Sequence, residues 1–204
     1  MIKAIVGGHW SNPPEGWVAL SEQDQDLTAP LKWADETVDV LMWEHVSEHL
    51  EMTDCILFFK EAKRVLKLGG ILRTVAPFVD KLVKFDESTP AGKHYTQTQL
   101  RHYYPNDDIA LKELGIDFND HGLEFMLDSL LKKHHHKHVW STGLMVRVLE
   151  KIGYSEVTTP KIGQSFFDQS NCLERTIRGM YPDWCAANGI TECDFESMVV
   201  EARK

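Results

Sequence analysis

Two histidines four residues apart, with a glutamate directly before the second, form the pattern in this sequence that comes closest to catalytic chemistry. The run is His45-Val46-Ser47-Glu48-His49, an H-x-x-E-H spacing. On a helix this spacing can bind zinc, and the order matches the inverted class of zinc hydrolases. Such a hydrolase needs a further carboxylate from a second helix, and we find no signature for one. A metal-dependent hydrolase is therefore kept only as the third hypothesis about function.

A second group of histidines lies in the run His134-His135-His136-Lys137-His138. Clustered imidazoles can bind Zn²⁺ or Ni²⁺, but no acid or thiol pattern accompanies this run. We therefore predict a solvated loop here and no metal site.

The cysteines give no metal or disulfide pattern either. None of them is arranged as C-x-x-C, and we expect scattered reduced thiols at Cys55, Cys172, Cys185 and Cys193.

Composition and charge exclude several classes of protein. The 204 residues include 22 Lys and Arg against 31 Asp and Glu, a formal net charge of −9. Nucleic-acid binding needs clustered basic residues, which this sequence lacks, and a small or neutral substrate fits better. The apolar stretches are far shorter than the roughly 20 residues that cross a bilayer. We expect no membrane association and a cytoplasmic protein.

The elements that must position these histidines are typical of an α/β sheet. Short apolar runs predict strands over Lys3–Val6, Trp17–Leu20 and Val38–Trp43. The period then becomes helical from Thr53, a predicted N-cap, to Lys67, and Gly69-Gly70 is predicted to end this helix.

The second half of the predicted sheet is completed by three more strands and one helix. The strands are expected over Ile71–Pro77, Tyr154–Thr158 and Met198–Ala202. A helix capped by Ser141 should run through Ile152, stop at Gly153, and place Leu144, Val148 and Ile152 on one face. The alternation of strand and helix predicts a Rossmann-like, doubly wound, mostly parallel sheet with an antiparallel last strand, in three αβα layers.

The length favours a single domain over 1–204. The segment at about 79–137 is expected to be an insertion or lid over the sheet, and the segment at about 164–196 an irregular substrate wall.

Three segments in order resemble the class I S-adenosylmethionine-dependent methyltransferases of the methyltransferase type 11 kind. The first runs from Asp26 to Asp39 and is similar to D-L-x-x-P-L-x-F-x-D-x-S-x-D, followed by Glu44–Leu50 as E-H-x-x-E-H-L. The second, Arg64–Arg73, is similar to R-V-L-K-P-G-G-x-L-R, with Leu68 in place of the proline. The third, from His138 onward, resembles the C-terminal helix and hairpin of a small branch with a shortened first crossover. The resemblance covers somewhat more than half of the chain.

This resemblance implies a methyltransferase that uses S-adenosylmethionine and releases S-adenosylhomocysteine. Ligands of such sheets bind beyond the carboxyl ends of the strands. The implied cofactor-binding residues follow those ends: Gly7, Gly8, His9, Ser21, Glu22, Asp26, Leu27, Trp43, Glu44 and His45. His45 or His49 is the implied general base, with His121 of the insertion as the runner-up. The acceptor is expected to be a small molecule or glycan, and the sequence does not name it.

A second hypothesis is based on two departures of this sequence from the family pattern. The usual G-x-G-x-G is reduced to Gly7-Gly8-His9-Trp10, and the acid expected at the end of the second strand appears as Ser21, with Glu22 one residue late. A one-residue slip turns a strand side chain to the opposite face. The alternative is therefore a catalytically inactive methyltransferase-fold protein with a binding or regulatory role.

Overall fold

A six-stranded, mostly parallel sheet forms the centre of the molecule. The computed structural model describes residues 1–7, 13–20, 26–168, 182–189 and 195–204. The strands are β1 (Lys3–Gly7), β2 (Trp17–Leu20), β3 (Val38–Glu44), β4 (Leu66–Pro77), β5 (Ser155–Thr158) and β6 (Ser197–Arg203). Their order in the sheet is β2-β1-β3-β4-β6-β5. The first four strands are parallel, and β6 pairs antiparallel with both β4 and β5.

Two longer helices and a group of short ones accompany the sheet. They are α1 (Met52–Val65), α2 (Val79–Leu82), α3 (Pro90–Tyr95), α4 (Arg101–Tyr103), α5 (Pro105–Glu113), α6 (Gly122–Lys132), α7 (Thr142–Ile152) and α8 (Pro182–Ala187). A π-helical turn over Thr96–Leu100 and 3₁₀ turns over Ser47–His49 and Phe118–His121 join some of them. Within the described ranges, none of the helices has both the length and the apolar character needed to cross a membrane.

Helices α1 and α7 cover one face of the sheet. Strand residues alternate between faces, so Leu41 and Leu72 point toward this side and join Phe59 of α1 and Leu149 of α7 in the main core. The Ser141 hydroxyl accepts a hydrogen bond from the Leu144 amide and so caps α7 as predicted. The predicted fold class is confirmed by this mostly parallel sheet and its antiparallel end.

The opposite face differs from the predicted third helical layer. Its apolar side chains, such as Ile5 and Met42, are buried, and Ile162 from the irregular segment after β5 packs on them. Arg73 and Glu201 form an ion pair on this face, with 2.5 Å between Arg73 Nη1 and Glu201 Oε1, and both side chains are fully buried. Arg73 donates to the carbonyl of Gln164, while Glu201 accepts from the amide of Phe166. Among the described residues, this part of the second face is covered by an irregular segment held by a buried ion pair, and no helix was predicted at this position.

Two boundaries around α1 also differ from the prediction. Glu51, not Thr53, occupies the N-cap position, and no side chain caps the helix. The helix ends at Val65, before the predicted glycine stop, and Gly69-Gly70 lies within β4 instead. Gly69 has φ 76°, and a Cβ on Gly70 would lie 2.9 Å from the Lys67 carbonyl oxygen. The two glycines therefore serve a tight bend inside the strand, which makes the same conformational demand as a helix end.

The core face of α7 differs from the predicted one at Leu144. Met145 and Leu149 are fully buried, whereas Leu144 is 41% exposed. Val148 and Ile152 of the predicted face are partly buried against the same core. The buried face therefore extends to Met145 and Leu149, and only Leu144 departs from the prediction.

The segment between β4 and α7 forms a separate helical layer with its own core. The amide of Val79 donates to the carbonyl of Trp140 at 2.8 Å and closes its base. Eight buried side chains make up this second core: Leu82, Phe85, Tyr95, Leu100, Tyr104, Phe118, Met126 and Leu130.

Candidate functional site

The carboxyl ends of β1 and β3 lie side by side, with Gly7 opposite Glu44 in the parallel register. Gly7 has φ 81°, and a Cβ at this position would lie 2.5 Å from the Glu44 carbonyl oxygen and 2.0 Å from Cγ2 of Val46. Any side chain would therefore collide with the turn that follows β3. Glycine is needed here for the close approach of two chain segments, whatever ligand the loop binds.

His45 begins the turn after β3 in a left-handed conformation, with φ 51°. This conformation is uncommon for a residue with a side chain and marks a backbone fixed by its surroundings. The His45 amide donates to the Val75 carbonyl at 2.9 Å. Its ring lies between two partners, with Nε2 2.9 Å from Ser197 Oγ and Nδ1 3.2 Å from Glu48 Oε1. The ring of His45 is thus held in one orientation at the edge of the sheet.

Burial and charge act in opposite directions on the His45–Glu48 pair. Burial opposes protonation of His45, but the Glu48 carboxylate beside it outweighs this effect and raises the pKa of the imidazole. Burial likewise disfavours the charged form of Glu48, and contact with His45 lowers the pKa of the carboxyl below its ordinary value. The two groups therefore favour each other's charged forms.

The order Ser197, His45, Glu48 has the outline of a hydrolase triad, but it lacks an accessible nucleophile. Ser197 is only 1% exposed at the start of β6. A nucleophilic serine must reach the substrate carbon, so we assign no acyl-transfer role to these residues.

A second histidine-bearing segment meets this turn from the far end of the helical layer. The backbone amide of Lys137 donates to the Glu48 carbonyl at 2.8 Å. The rings of His49 and His136 lie edge to face with their centroids 4.7 Å apart, and His134 stacks on His136 at 5.7 Å. The predicted solvated loop is wrong for His136, which is half-buried against the turn. Burial lowers the pKa of His136 to about 4, so its ring is neutral at physiological pH.

These histidines enclose a small cavity of about 140 Å³. Its lining residues come from the turn after β3, from the histidine run and from the residue before β6: His45, Glu48, His49, His134, His136 and Glu196. Glu48, His49 and His136 each offer one ligand atom, and these atoms all lie within 4.8 Å of one another. Local sequence patterns missed this cluster because its two halves are far apart along the chain.

The other predicted site residues in the described ranges lie at the same edge in different environments. Asp26 is exposed, and its Oδ1 accepts from the amide and the hydroxyl of Thr28 at 2.8 and 2.7 Å. These two bonds lower the pKa of the Asp26 carboxyl. Leu27 and Trp43 are buried in the main core, where the Trp43 ring packs on Phe58 at 3.8 Å. Trp43 and Leu27 therefore present backbone rather than side chains to a ligand, and Glu44 is almost fully buried.

Several predicted residues lie outside the described ranges. These are Gly8, His9, Ser21, Glu22, Cys172 and Cys193. His121, the runner-up base, contacts Glu124 at 3.3 Å on an exposed surface and does not line the histidine cavity.

A larger cavity of about 320 Å³ lies beside the end of α1 and is lined by basic side chains. Its cations are already used by the fold: Lys63 donates to the carbonyls of Ile152 and Gly153, and Lys204 donates to the carbonyl of Leu66. We therefore place the candidate site at the smaller cavity, where the chemistry-bearing side chains meet.

One family model matches part of this chain. Residues 12–74, less than a third of the 204 residues, match the family model described as "Methyltransferase domain". This segment is similar to that family. The matched segment contains the first two of the three motifs that predicted the family, and it includes the turn with His45, Glu48 and His49.

No curated protein matches the sequence. Among solved structures, a SAM-dependent methyltransferase from Archaeoglobus fulgidus is similar at 12% identity and a TM-score of 0.48, over 100% of this chain and 85% of that one. An S-adenosylmethionine-dependent methyltransferase from Mesorhizobium loti is similar at 12% identity and 0.45, over 96% and 74%. Human N-acetylserotonin methyltransferase, solved in complex with SAM, is similar at 10% identity and 0.43, and this chain spans only 40% of its length. The assignment of fold depends on the strand order of this sheet rather than on these scores.

Proposed function

We propose that this chain is an S-adenosylmethionine-dependent methyltransferase that transfers a methyl group directly to a small-molecule or glycan acceptor. The observation that carries the proposal is the coincidence of two facts. The methyltransferase-domain match covers the carboxyl ends of β2 and β3, and in an open α/β sheet this edge is where ligands bind.

Among the described residues at this edge, Asp26 fits the cofactor. It presents an exposed carboxylate that can accept hydrogen bonds from an adenine or ribose, whereas the space beside Gly7 is filled by Val46 and the Glu44 carbonyl. S-adenosylmethionine supplies an electrophilic methyl group on a sulfonium. Positioning and exclusion of water then provide most of the rate, and a single proton acceptor suffices.

We propose that His45, in its neutral form, is this proton acceptor. Because the Glu48 carboxylate raises the pKa of the imidazole to about 9, methyl transfer should increase as the pH rises toward that value. Glu48 holds its Nδ1 side, so Nε2, which contacts Ser197 in this structure, is the atom that can take a proton. Nε2 of His45 would take the proton that the acceptor oxygen or nitrogen loses when it is methylated. His49, the other predicted base, lines the same cavity as His45 and contacts the ring of His136.

Calorimetric titration with S-adenosylhomocysteine tests the cofactor assignment. The wild-type chain should bind one equivalent, and Asp26→Ala should weaken binding by about 10-fold because a charge-assisted hydrogen bond to the ligand is lost. Asp86→Ala is the matched control. The Asp86 carboxylate makes the same local turn, accepting from the amide and the hydroxyl of Ser88, but it lies in the helical insertion.

The outcomes separate the hypotheses. Equal losses of affinity in Asp26→Ala and Asp86→Ala would show that disruption of either local turn weakens binding. Asp26 would then have no specific role in the site. Absence of binding by the wild-type chain at millimolar ligand would overturn the proposal and favour the inactive binding protein. Production of S-adenosylhomocysteine with a panel of phenols, amines and sugars would then identify the acceptor class.

A further inference from the structure

The strongest unassigned feature of the molecule is the meeting of two histidine-bearing segments at Glu48. One is the turn after β3, and the other is the 134–138 run, which enters from the helical insertion. Their contact is fixed by the backbone bond from Lys137 to Glu48 and by the ion pair between Lys137 Nζ and Glu51 Oε1 at 3.2 Å. The fold therefore holds these side chains together through its main chain.

Glu48 is the unusual member of the group. It is fully buried, and within the described part of the chain its Oε1 has the ion-pair contact with His45 Nδ1 at 3.2 Å but no further hydrogen bond. A buried carboxylate is costly unless cations or hydrogen-bond donors surround it. Nδ1 of His136 is buried in the same place and is likewise without a hydrogen bond in those ranges. Beside the His45 contact, a carboxylate oxygen of Glu48 and a ring nitrogen of His136 thus lie at one small cavity, where each can still bind a cation.

We propose that Glu48, His49 and His136 bind one divalent first-row transition-metal ion, with Zn²⁺ as the best match. Two imidazoles and one carboxylate are a common ligand set for catalytic zinc, with a fourth position open to water or substrate. Donor atoms around a tetrahedral zinc ion lie about 3.3 Å apart, given Zn–N distances of roughly 2.0–2.1 Å. The three ligand atoms lie within 4.8 Å of one another. Side-chain rotations that bring these atoms about 1.5 Å closer together therefore give the spacing of a zinc site.

His45 has a positioning role in this site. Its Nδ1 lies 3.2 Å from Glu48 Oε1, where a partner that orients a ligating carboxylate is expected. The cavity of about 140 Å³ has room for the ion and several waters at about 30 Å³ each. The site does not require methyl transfer, and it can be tested in the absence of cofactor.

Metal titration of the tag-free chain is the decisive experiment, because a polyhistidine tag binds the same ions. The protein is stripped with a chelator, dialysed, and titrated with Zn²⁺ in competition with a chromophoric chelator. One equivalent should bind, and Co²⁺ should give the visible absorption of a low-coordinate site. Zn²⁺ at about 100 times its dissociation constant should raise the unfolding midpoint by about 5–11 °C.

The variants distinguish a built site from capture by surface imidazoles. Glu48→Gln and His136→Ala should each weaken Zn²⁺ binding by more than about 100-fold, and His45→Gln by about 10- to 100-fold, as is typical of a partner that orients a ligand. His135→Asn is the matched control, since His135 is exposed between two cluster residues and has φ 57°, which asparagine tolerates. It should leave the affinity within about twofold.

Two results would overturn the proposal: no stoichiometric binding by the wild-type chain, or an equal loss in His135→Asn and His136→Ala. His136 is half-buried in a loop, so its alanine variant should fold even if the Glu48→Gln variant does not. Circular dichroism of each variant in chelator checks this directly. The outcome is independent of S-adenosylhomocysteine binding, so failure of one proposal leaves the other standing.

Discussion

At the scale of single residues, Gly7 leaves little tolerance for substitution. Its φ of 81° and its approach to the Glu44 carbonyl leave no room for a Cβ. We predict that Gly7→Ala lowers the free energy of unfolding by about 2–4 kcal/mol, as the sum of a left-handed backbone cost and a packing clash. Urea denaturation measures this loss.

Gly115 offers the matched control for this substitution. It has φ 73°, but a Cβ there would meet nothing within 4 Å. Gly115→Ala should therefore cost only the backbone term, about 1–2 kcal/mol. If the two alanine variants are equally stable, the clash at Gly7 is relieved by a small shift of the turn, and the prediction is wrong.

Sequence patterns predicted which residues belong to the site better than they predicted the contacts between those residues. The H-x-x-E-H run and the 134–138 run each stood out by composition, because histidines at short spacing are rare. Their contact was not predictable, because it depends on how the helical insertion returns to the sheet through Trp140. His45 and Ser197 meet for the same reason, across strands that are far apart in sequence.

At the scale of elements, α7 is fixed by hydrogen bonds at its first turn. The Thr142 amide donates to Asp80 Oδ2 at 2.5 Å, and the Leu144 amide donates to Ser141 Oγ at 3.2 Å. The backbone and side-chain bonds from Thr142 lower the pKa of the Asp80 carboxyl below its ordinary 3.8. A carboxylate outside the helix therefore anchors α7 to the start of the insertion.

A lowered carboxyl pKa in the folded state contributes stability at high pH and loses it as the pH falls. We predict that Asp80→Ala lowers the free energy of unfolding by about 1 kcal/mol at pH 7, a midpoint shift of about 2–4 °C. The difference from wild type should shrink as the pH falls below about 3.8, where the carboxyl of the unfolded chain takes up a proton, and should vanish below the lowered pKa of the folded chain. Thermal unfolding scans between pH 3 and about 7 measure it.

Ser141→Ala provides the reference for this pH dependence. The serine hydroxyl does not titrate, so its loss should cost about 1 kcal/mol at every pH at which the chain folds. A penalty for Asp80→Ala that stays constant down to acidic pH would contradict the role assigned to the carboxylate.

Helix α7 and strand β4 also show where local patterns are sufficient and where they are not. The Ser141 cap and the Gly153 stop were predictable because each meets a demand of the helix itself. The position of the glycine pair in β4 was not predictable, because Gly69 and Gly70 form a bend within a strand, and such a bend favours glycine just as a helix end does. Only the pairing of Leu66 with Val38 decides between the two.

At the scale of the whole molecule, the sheet could be predicted and the layer over its second face could not. Buried parallel strands have short apolar runs that are legible in the sequence. The segment on the second face is held instead by the ion pair between Arg73 of β4 and Glu201 of β6. Arg73 donates a hydrogen bond to the carbonyl of Gln164, and Glu201 accepts one from the amide of Phe166. Neither charged residue has a local pattern that indicates burial.

The two separate cores predict two levels of stability within the chain. Phe118 is fully buried in the core of the helical insertion and stacks on Phe125 at 4.1 Å, whereas Phe59 is fully buried against the sheet. Phe→Ala in a core costs about 3–5 kcal/mol. We predict that Phe118→Ala speeds hydrogen exchange in α5 and α6 while the amides of β3 and β4 stay protected, because local unfolding follows separately packed units.

Phe59→Ala should have the opposite distribution, with faster exchange in β3 and β4. Mass spectrometry of peptides from both regions distinguishes the two patterns. If Phe118→Ala speeds exchange in the sheet as much as in the insertion, the base closed by Val79 and Trp140 transmits the loss, and the chain unfolds as one unit. Because the insertion carries His134 and His136 to the turn after β3, its independent opening would also expose Glu48 to solvent and disassemble the histidine cavity.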